Sequence, residues 1–218
     1  MSKIRFRYIK TGKAKYLSHL DLMATMQRAF LRAGLNLKYS EGFNPHPYMS
    51  VALPLSVGCE STCELIDVGA ADDNLPNLQK FLLPDGIEFL EAYKPIRKFS
   101  EIAWVKICIK MYYDNRKADD MIEGMQRCFS EKSIVISKRT KRGVKELDIA
   151  PHIRDVDISM SETENANAAE FILTAKISAQ NPVINSADLE SVVADVYKPD
   201  FSVSRRLEIY DKDMIVFK

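Results

Sequence analysis

Residues 3–34 read KIRFRYIKTGKAKYLSHLDLMATMQRAFLRAG, and two different periods meet in them. From Lys3 to Ile9, the apolar Ile4, Phe6 and Tyr8 alternate with Lys3, Arg5 and Arg7. That is the period of two by which a strand buries one face, and it leaves the other face cationic. Further on, Leu22, Met26, Ala29, Phe30 and Ala33 recur every three or four residues, the stripe of a helix that covers a core. Ser18 with Asp21 three residues later has capping-box spacing, and Gly34 suits a left-handed stop. A helix is therefore predicted from Ser18 to about Ala33. A strand running straight into a covering helix is the opening of an α+β unit.

Working outward, residues 35–39 read as extended and 40–47 as turn-rich, with strand-like runs over 49–55 and 63–68. A short helix is expected over 75–82 and a strand over 87–92. The order is then β, α, β, β, α, β, the ferredoxin-like arrangement in which two helices cover one face of a four-stranded antiparallel sheet. The order roughly repeats downstream. A strand is expected over 104–112, a helix over 118–129, strands over 134–137 and 171–177, and a weaker one between 144 and 158. A helix over 186–196, capped by Asn185 or Ser186, and a strand over 202–210 close the chain. The expected fold class is α+β: two tandem ferredoxin-like halves with antiparallel sheets, residues 1–97 and 98–218, joined through 95–101. Residues 161–169 read as a mobile acidic, Asn-rich loop.

With 218 residues, 46% of them hydrophobic, the chain can bury a sizeable core. Its net charge of +1 hides opposed segments. Up to Ser50, nine lysines and arginines stand against Asp21 and Glu41; from Val51 to Pro95, Lys80 and Lys94 stand against eight acids. The first segment can form a basic surface unless folding sets the two side by side. The opening MSKIRFRYIK has no signal-peptide run and no window is apolar enough for a membrane helix, so a cytoplasmic protein is expected. Cys59, Cys63, Cys108 and Cys128 are too scattered for a disulfide framework.

Four groups of residues could carry function. Arg28 and Arg32 share a helix face with Ser18, Asp21 and Thr25; they suit phosphate contacts, and equally a solvated face matched to the helix dipole. In YSEGFNPHP, Gly42, Pro45 and Pro47 set an unusual backbone path that holds Phe43, Asn44 and His46. An unpaired base could stack on Phe43 and hydrogen-bond to Asn44 or His46; alternatively Phe43 plugs the core. This loop is expected beside the start of the Ser18 helix, which would gather His19, His46 and Asn44 in one pocket as acid–base candidates. The run KSIVISKRTKRGVK, 132–145, brings Lys138, Arg139, Lys141 and Arg142 to a hairpin with Gly143 near its tip, able to follow a nucleic-acid backbone or simply to stay solvated. No serine or cysteine has a nucleophile's context, and no close ligand pair marks a metal site, so catalysis by this chain alone is not expected.

YLSHLDLM, the R-x-x-x-R of Arg28 and Arg32, YSEGFNPHP, LPLSVG with Glu60 and Glu64, KRTKRG and SRRLEIY together resemble the bacterial radical SAM-associated family, a domain of unknown function. The resemblance implies a domain that either follows a B12-binding-type radical SAM enzyme or stands as a separate chain beside it, here the separate form. Cys59 and Cys63 have C-x-x-x-C spacing, but Ile66 stands where a third cysteine would complete a cluster motif. S-adenosylmethionine and an iron–sulfur cluster are thus expected only in the partner, with no cofactor in this chain. The leading expectation is an accessory module that binds tRNA or rRNA for that partner. The alternatives are an RNA-processing or RNA-modifying enzyme using His19 or His46, and a protein-only docking module.

Overall fold

The computed structural model describes residues 2–114, 119–140, 143–161 and 168–218, with Asp119, Asp120, Arg139 and Thr140 described by backbone alone. The chain divides into two compact units, Met1–Glu101 with Lys218, and Ile102–Phe217. Most of the loop expected over 161–169 lies outside the described residues.

In the first unit, β1 (Ser2–Lys10), β2 (Met49–Val51), β3 (Glu60–Ala70) and β4 (Ile87–Tyr93) form an antiparallel sheet in the order β4-β1-β3-β2. The helix α1 (His19–Arg32) lays Leu22, Met26 and Phe30 on Ile4, Phe6, Tyr8, Ile66 and Val68. Its ends obey the sequence: the Ser18 hydroxyl accepts the Asp21 N–H at 3.2 Å, and Gly34, at φ +77°, lets the Leu35 N–H reach back to Phe30 O at 3.0 Å. Phe6, Phe30, Phe81 and Phe89 meet edge-on, tilted or, for Phe30 on Phe89, stacked, at centroid distances of 4.8 to 5.7 Å, within the range of favourable ring contacts.

The helix expected over 75–82 does not form. Only a 3-10 turn, Leu78–Lys80, is present, started by the Asn77 side chain accepting the Gln79 N–H at 3.0 Å. Pro84 disfavours helical backbone at Leu83, and Phe81 turns extended, φ −86°, ψ 118°, to drop its ring into the aromatic cluster. One buried phenyl outweighs a weak helical stripe whose Leu75 and Leu82 remain exposed. The first unit thus has one α-helix where two were expected.

The second unit begins with β5 (Ile102–Asp114) and α2 (Asp119–Ser130), followed by the hairpin β6 (Val135–Thr140) and β7 (Gly143–Asp148). Next come β8 (Ile153–Ser161), β9 (Ala168–Ser178), α3 (Ser186–Tyr197) and β10 (Phe201–Asp211). The four long strands pair antiparallel in the order β10-β5-β9-β8. The weak signal between 144 and 158 was two strands, because the hairpin pairs with itself as a separate two-stranded sheet. Val105, Ile107, Ile109, Met111 and Tyr113 share a buried face with Ile177, Ala175, Leu173, Phe171 and Ala169, their register partners. Asn185 and Asp188 cap α3 reciprocally. In both units the strands, numbered within the unit and leaving the hairpin aside, lie in the order fourth, first, third, second.

Candidate nucleic-acid interface

The turn-rich stretch after α1 becomes a clasped loop. Leu37 bridges Ala70, the Lys38 N–H donates to Gly69 O at 2.9 Å, and the Tyr48 N–H donates back to Lys38 O at 2.9 Å. Above this base, Tyr39 bridges Pro47, the Ser40 N–H donates to His46 O at 2.8 Å, and the Ser40 hydroxyl accepts the His46 N–H at 3.0 Å. Gly42, at φ +128°, turns the tip. The result for Phe43 decides between its two readings. It is no core plug: the residue has a relative exposure of 112%, with Asn44 and His46 exposed beside it.

The expected histidine pocket is not formed. Lys10 pairs with Ser61, and its ammonium donates to Leu17 O at 2.9 Å, which ties the start of α1 and His19 to that end of β3. His46 belongs to the loop tied to Gly69. The strand between Ser61 and Gly69 spans roughly 26 Å at about 3.3 Å per residue. The two imidazoles stand at opposite ends of the unit, and a paired acid–base role for them falls with that separation.

Much of the basic character of the N-terminal segment is consumed internally. Arg5 is fully buried; its Nε and Nη2 donate to the two Asp67 oxygens at 2.7 and 3.0 Å, Nη2 also reaches Arg97 O at 2.9 Å, and the guanidinium lies 4.3 Å from the Phe99 ring centroid. Lys3 approaches the same carboxylate at 3.6 Å, and Lys15 approaches Glu60 at 3.8 Å. Burial pushes the Lys10 pKa down, with Glu64 and Cys59 opposing the shift. Arg28 stays exposed on α1, while exposed Arg32 donates to Leu82 O at 3.0 Å.

In the second unit the Lys138 ammonium is anchored to the start of α3, donating to the Asp188 carboxylate and to Val183 O, each at 2.6 Å. Its cross-strand neighbour Lys145 is exposed. Arg139 is described by backbone alone, opposite Val144, and Lys141 and Arg142 lie outside the described residues.

A model of a bacterial family, described as an uncharacterized protein conserved in bacteria (DUF2344), matches residues 3–185. The chain belongs to the DUF2344 family. No curated protein matches this DUF2344 chain. Among solved structures it is similar to a chain of a Cbf5-Nop10-Gar1 complex, with TM-score 0.46 and 13% identity over 94% of this chain and 49% of that one. It is also similar to an unknown protein from Galdieria sulphuraria, with TM-score 0.27 and 7% identity over 89% and 93% of the two chains. The DUF2344 chain spans about half the length of the first of these.

Among the described residues of the DUF2344 chain, no group of three or more His, Cys, Asp or Glu side chains is placed to hold a metal ion, and no helix is long and apolar enough to cross a membrane. Sequence reasoning passed over one feature beside the clasped loop, a cleft of about 380 Å³ lined by Lys3, Tyr48, Ser50, Asp67 and Gly69 among others. The signal for it was Gly69, a glycine inside an otherwise unbroken strand.

Proposed function

We propose that this protein is an accessory RNA-binding module, taking tRNA or rRNA, that acts in the cytoplasm with a radical SAM partner enzyme and is built from two ferredoxin-like halves. The observation that carries the RNA part is Phe43: a phenyl ring held wholly in solvent at the tip of a loop clasped by two bridges and four hydrogen bonds. A solvated phenyl forgoes roughly 1.5–3 kcal/mol of burial, and a loop so clasped presents it at little entropic cost to whatever stacks on it. Asn44 and His46 stand beside it as hydrogen-bonding groups, and Arg28 is an exposed cation on α1. The fourth-first-third-second strand order in each half supports the ferredoxin-like description, although the first half reaches it with one helix. The radical SAM partner rests on the sequence motifs.

The test is binding of a labelled single-stranded RNA followed by fluorescence anisotropy. Phe43→Ala is expected to weaken it by about 1–3 kcal/mol with little change in salt dependence, because a stacked base releases few counterions. If the wild type retains no RNA at low salt, the RNA part is wrong and Phe43 is better read as a protein-docking anchor.

A further inference from the structure

The first unit's sheet has two faces. Ile4, Phe6, Tyr8, Ile66 and Val68 look toward α1; Lys3, Arg5, Asp67 and Gly69, being one residue out of step, look the other way. On that second face the strand registers set side chains in rows across three strands. One row is Arg5, Asp67, Ser50. The next is Lys3, Gly69, Tyr48: Lys3 is the register partner of Gly69, and the Gly69 N–H donates to Tyr48 O at 2.7 Å.

The middle of the second row is empty of side chain, and this is the floor of the cleft of about 380 Å³. Among the described residues six glycines have positive φ, and Gly69 is not one of them. Its backbone is extended strand that any residue adopts, so conformation does not account for glycine there. Gly69 is the next-to-last residue of β3, and a strand glycine that the backbone does not need often marks a place where a ligand or another backbone approaches closely. The walls say what. On one side is the half-exposed Tyr48 ring, on the other the Lys3 ammonium, whose side chain is 55% exposed. Asp67 is 6% exposed and already holds Arg5 in a two-pronged pair. Two cations against one carboxylate leave the mouth one charge positive, and the charge with open access is Lys3.

We infer that this cleft holds one nucleotide: a base set over Gly69 against the Tyr48 ring, its phosphate on Lys3, and the Ser50 hydroxyl within the same opening for a base edge or ribose. A free phosphate would leave most of the volume empty, whereas a mononucleotide fills a pocket at the small end of the usual ligand range. A nucleotide within an RNA and a free mononucleotide present the same chemistry, and the first source rests on the RNA-binding reading above. Pro47, a lining residue, also closes the Phe43 loop, so an RNA strand could place neighbouring nucleotides on the ring and in the cleft.

The experiment uses the full chain with two probes, AMP by titration calorimetry and a fluorescein-labelled oligoadenylate by anisotropy. Gly69→Val fills the floor without removing a charge. It is expected to abolish AMP binding and to weaken oligoadenylate by about 5- to 150-fold, the worth of one stacked base, with the salt slope unchanged. Lys3→Gln is expected to flatten that slope by about 0.7, one phosphate. If Gly69→Val loses its cooperative unfolding transition, Tyr48→Ala is read in its place, with the same loss expected.

Variants that bind both probes like the wild type overturn the cleft assignment and leave RNA binding standing. AMP bound and lost in the variants, with no oligoadenylate retained by the wild type, supports the cleft as a site for free nucleotides and overturns the RNA reading. Oligoadenylate weakened as expected, without measurable AMP binding, supports the cleft as a subsite of the RNA surface. Failure of the wild type to bind either probe overturns both.

Discussion

Gly86 shows what a residue must be when backbone and neighbour both press on it. Its φ is +84°, a Cβ there would meet Thr11 O, and Gly86 O accepts the Thr11 N–H at 2.8 Å. Gly86→Ala is therefore expected to lower stability by about 1–3 kcal/mol, strain and clash together, read as a lower urea midpoint with an unchanged slope. A second single-residue prediction concerns acid. The Asp148 carboxylate accepts the N–H groups of Ile134 at 2.9 Å and Ala150 at 3.0 Å, and these bonds, with Ser133, hold its pKa below the ordinary 3.8. A carboxylate whose folded pKa is depressed contributes stability that is complete above its unfolded value and fades as pH falls through the folded one. The Ile134 and Ala150 amides should thus keep their hydrogen-exchange protection down to pH 3.8 and lose it only below. In Asp148→Ala their protection should already be low at neutral pH; loss at the same acid pH in both proteins would show that another group controls the hairpin.

At the scale of elements, α1 was readable because cap, stripe and stop agree along one continuous segment. Its dependence on the cap is checkable: Ser18→Ala removes the acceptor of the Asp21 N–H and should cost about 1 kcal/mol, seen in thermal unfolding, while Ser18→Asn should restore most of it. The segment 75–82 was not readable in the same way. Leu75, Leu78, Phe81 and Leu82 have helical spacing, and what overrides the spacing is Phe81 meeting Phe6, Phe30 and Phe89, partners drawn from three other elements. Local pattern cannot carry that information. The same holds for the site. Gly42, Pro45 and Pro47 announced an ordered loop, yet whether Phe43 went in or out depended on Ala70 and Gly69 capturing the loop's base, and the separation of His19 from His46 depended on the length of β3. The row of Lys3, Gly69 and Tyr48 exists only once three strands are in register, so its three members carry no common mark in sequence.

At the scale of the molecule, the opposed charge of residues 1–50 and 51–95 is a pairing scheme as much as a basic surface. Arg5 lies against Asp67 in burial, Lys15 against Glu60, and Lys10 is buried under the pull of Glu64. Breaking a buried pair strands its partner, which typically costs about 3–5 kcal/mol, so nucleic acid would not readily recruit these cations. This bounds what residues 1–50 can add to RNA binding. Were all nine lysines and arginines of residues 1–50 to neutralise phosphates, they would contribute about −6 to the slope of log affinity against log salt; with Arg5, Lys10 and Lys15 withheld, they contribute no more than about −4. The measurement belongs on a variant with Lys138, Arg139, Lys141, Arg142 and Lys145 all changed to Ala, so that the second unit's hairpin adds nothing. A slope that flattens there by about 0.7 on adding Lys15→Gln would mean that RNA pulls the internal pairs apart. No change with Lys15→Gln is the expected outcome, whereas adding Arg28→Ala should flatten the slope by about 0.7 if that exposed arginine holds a phosphate.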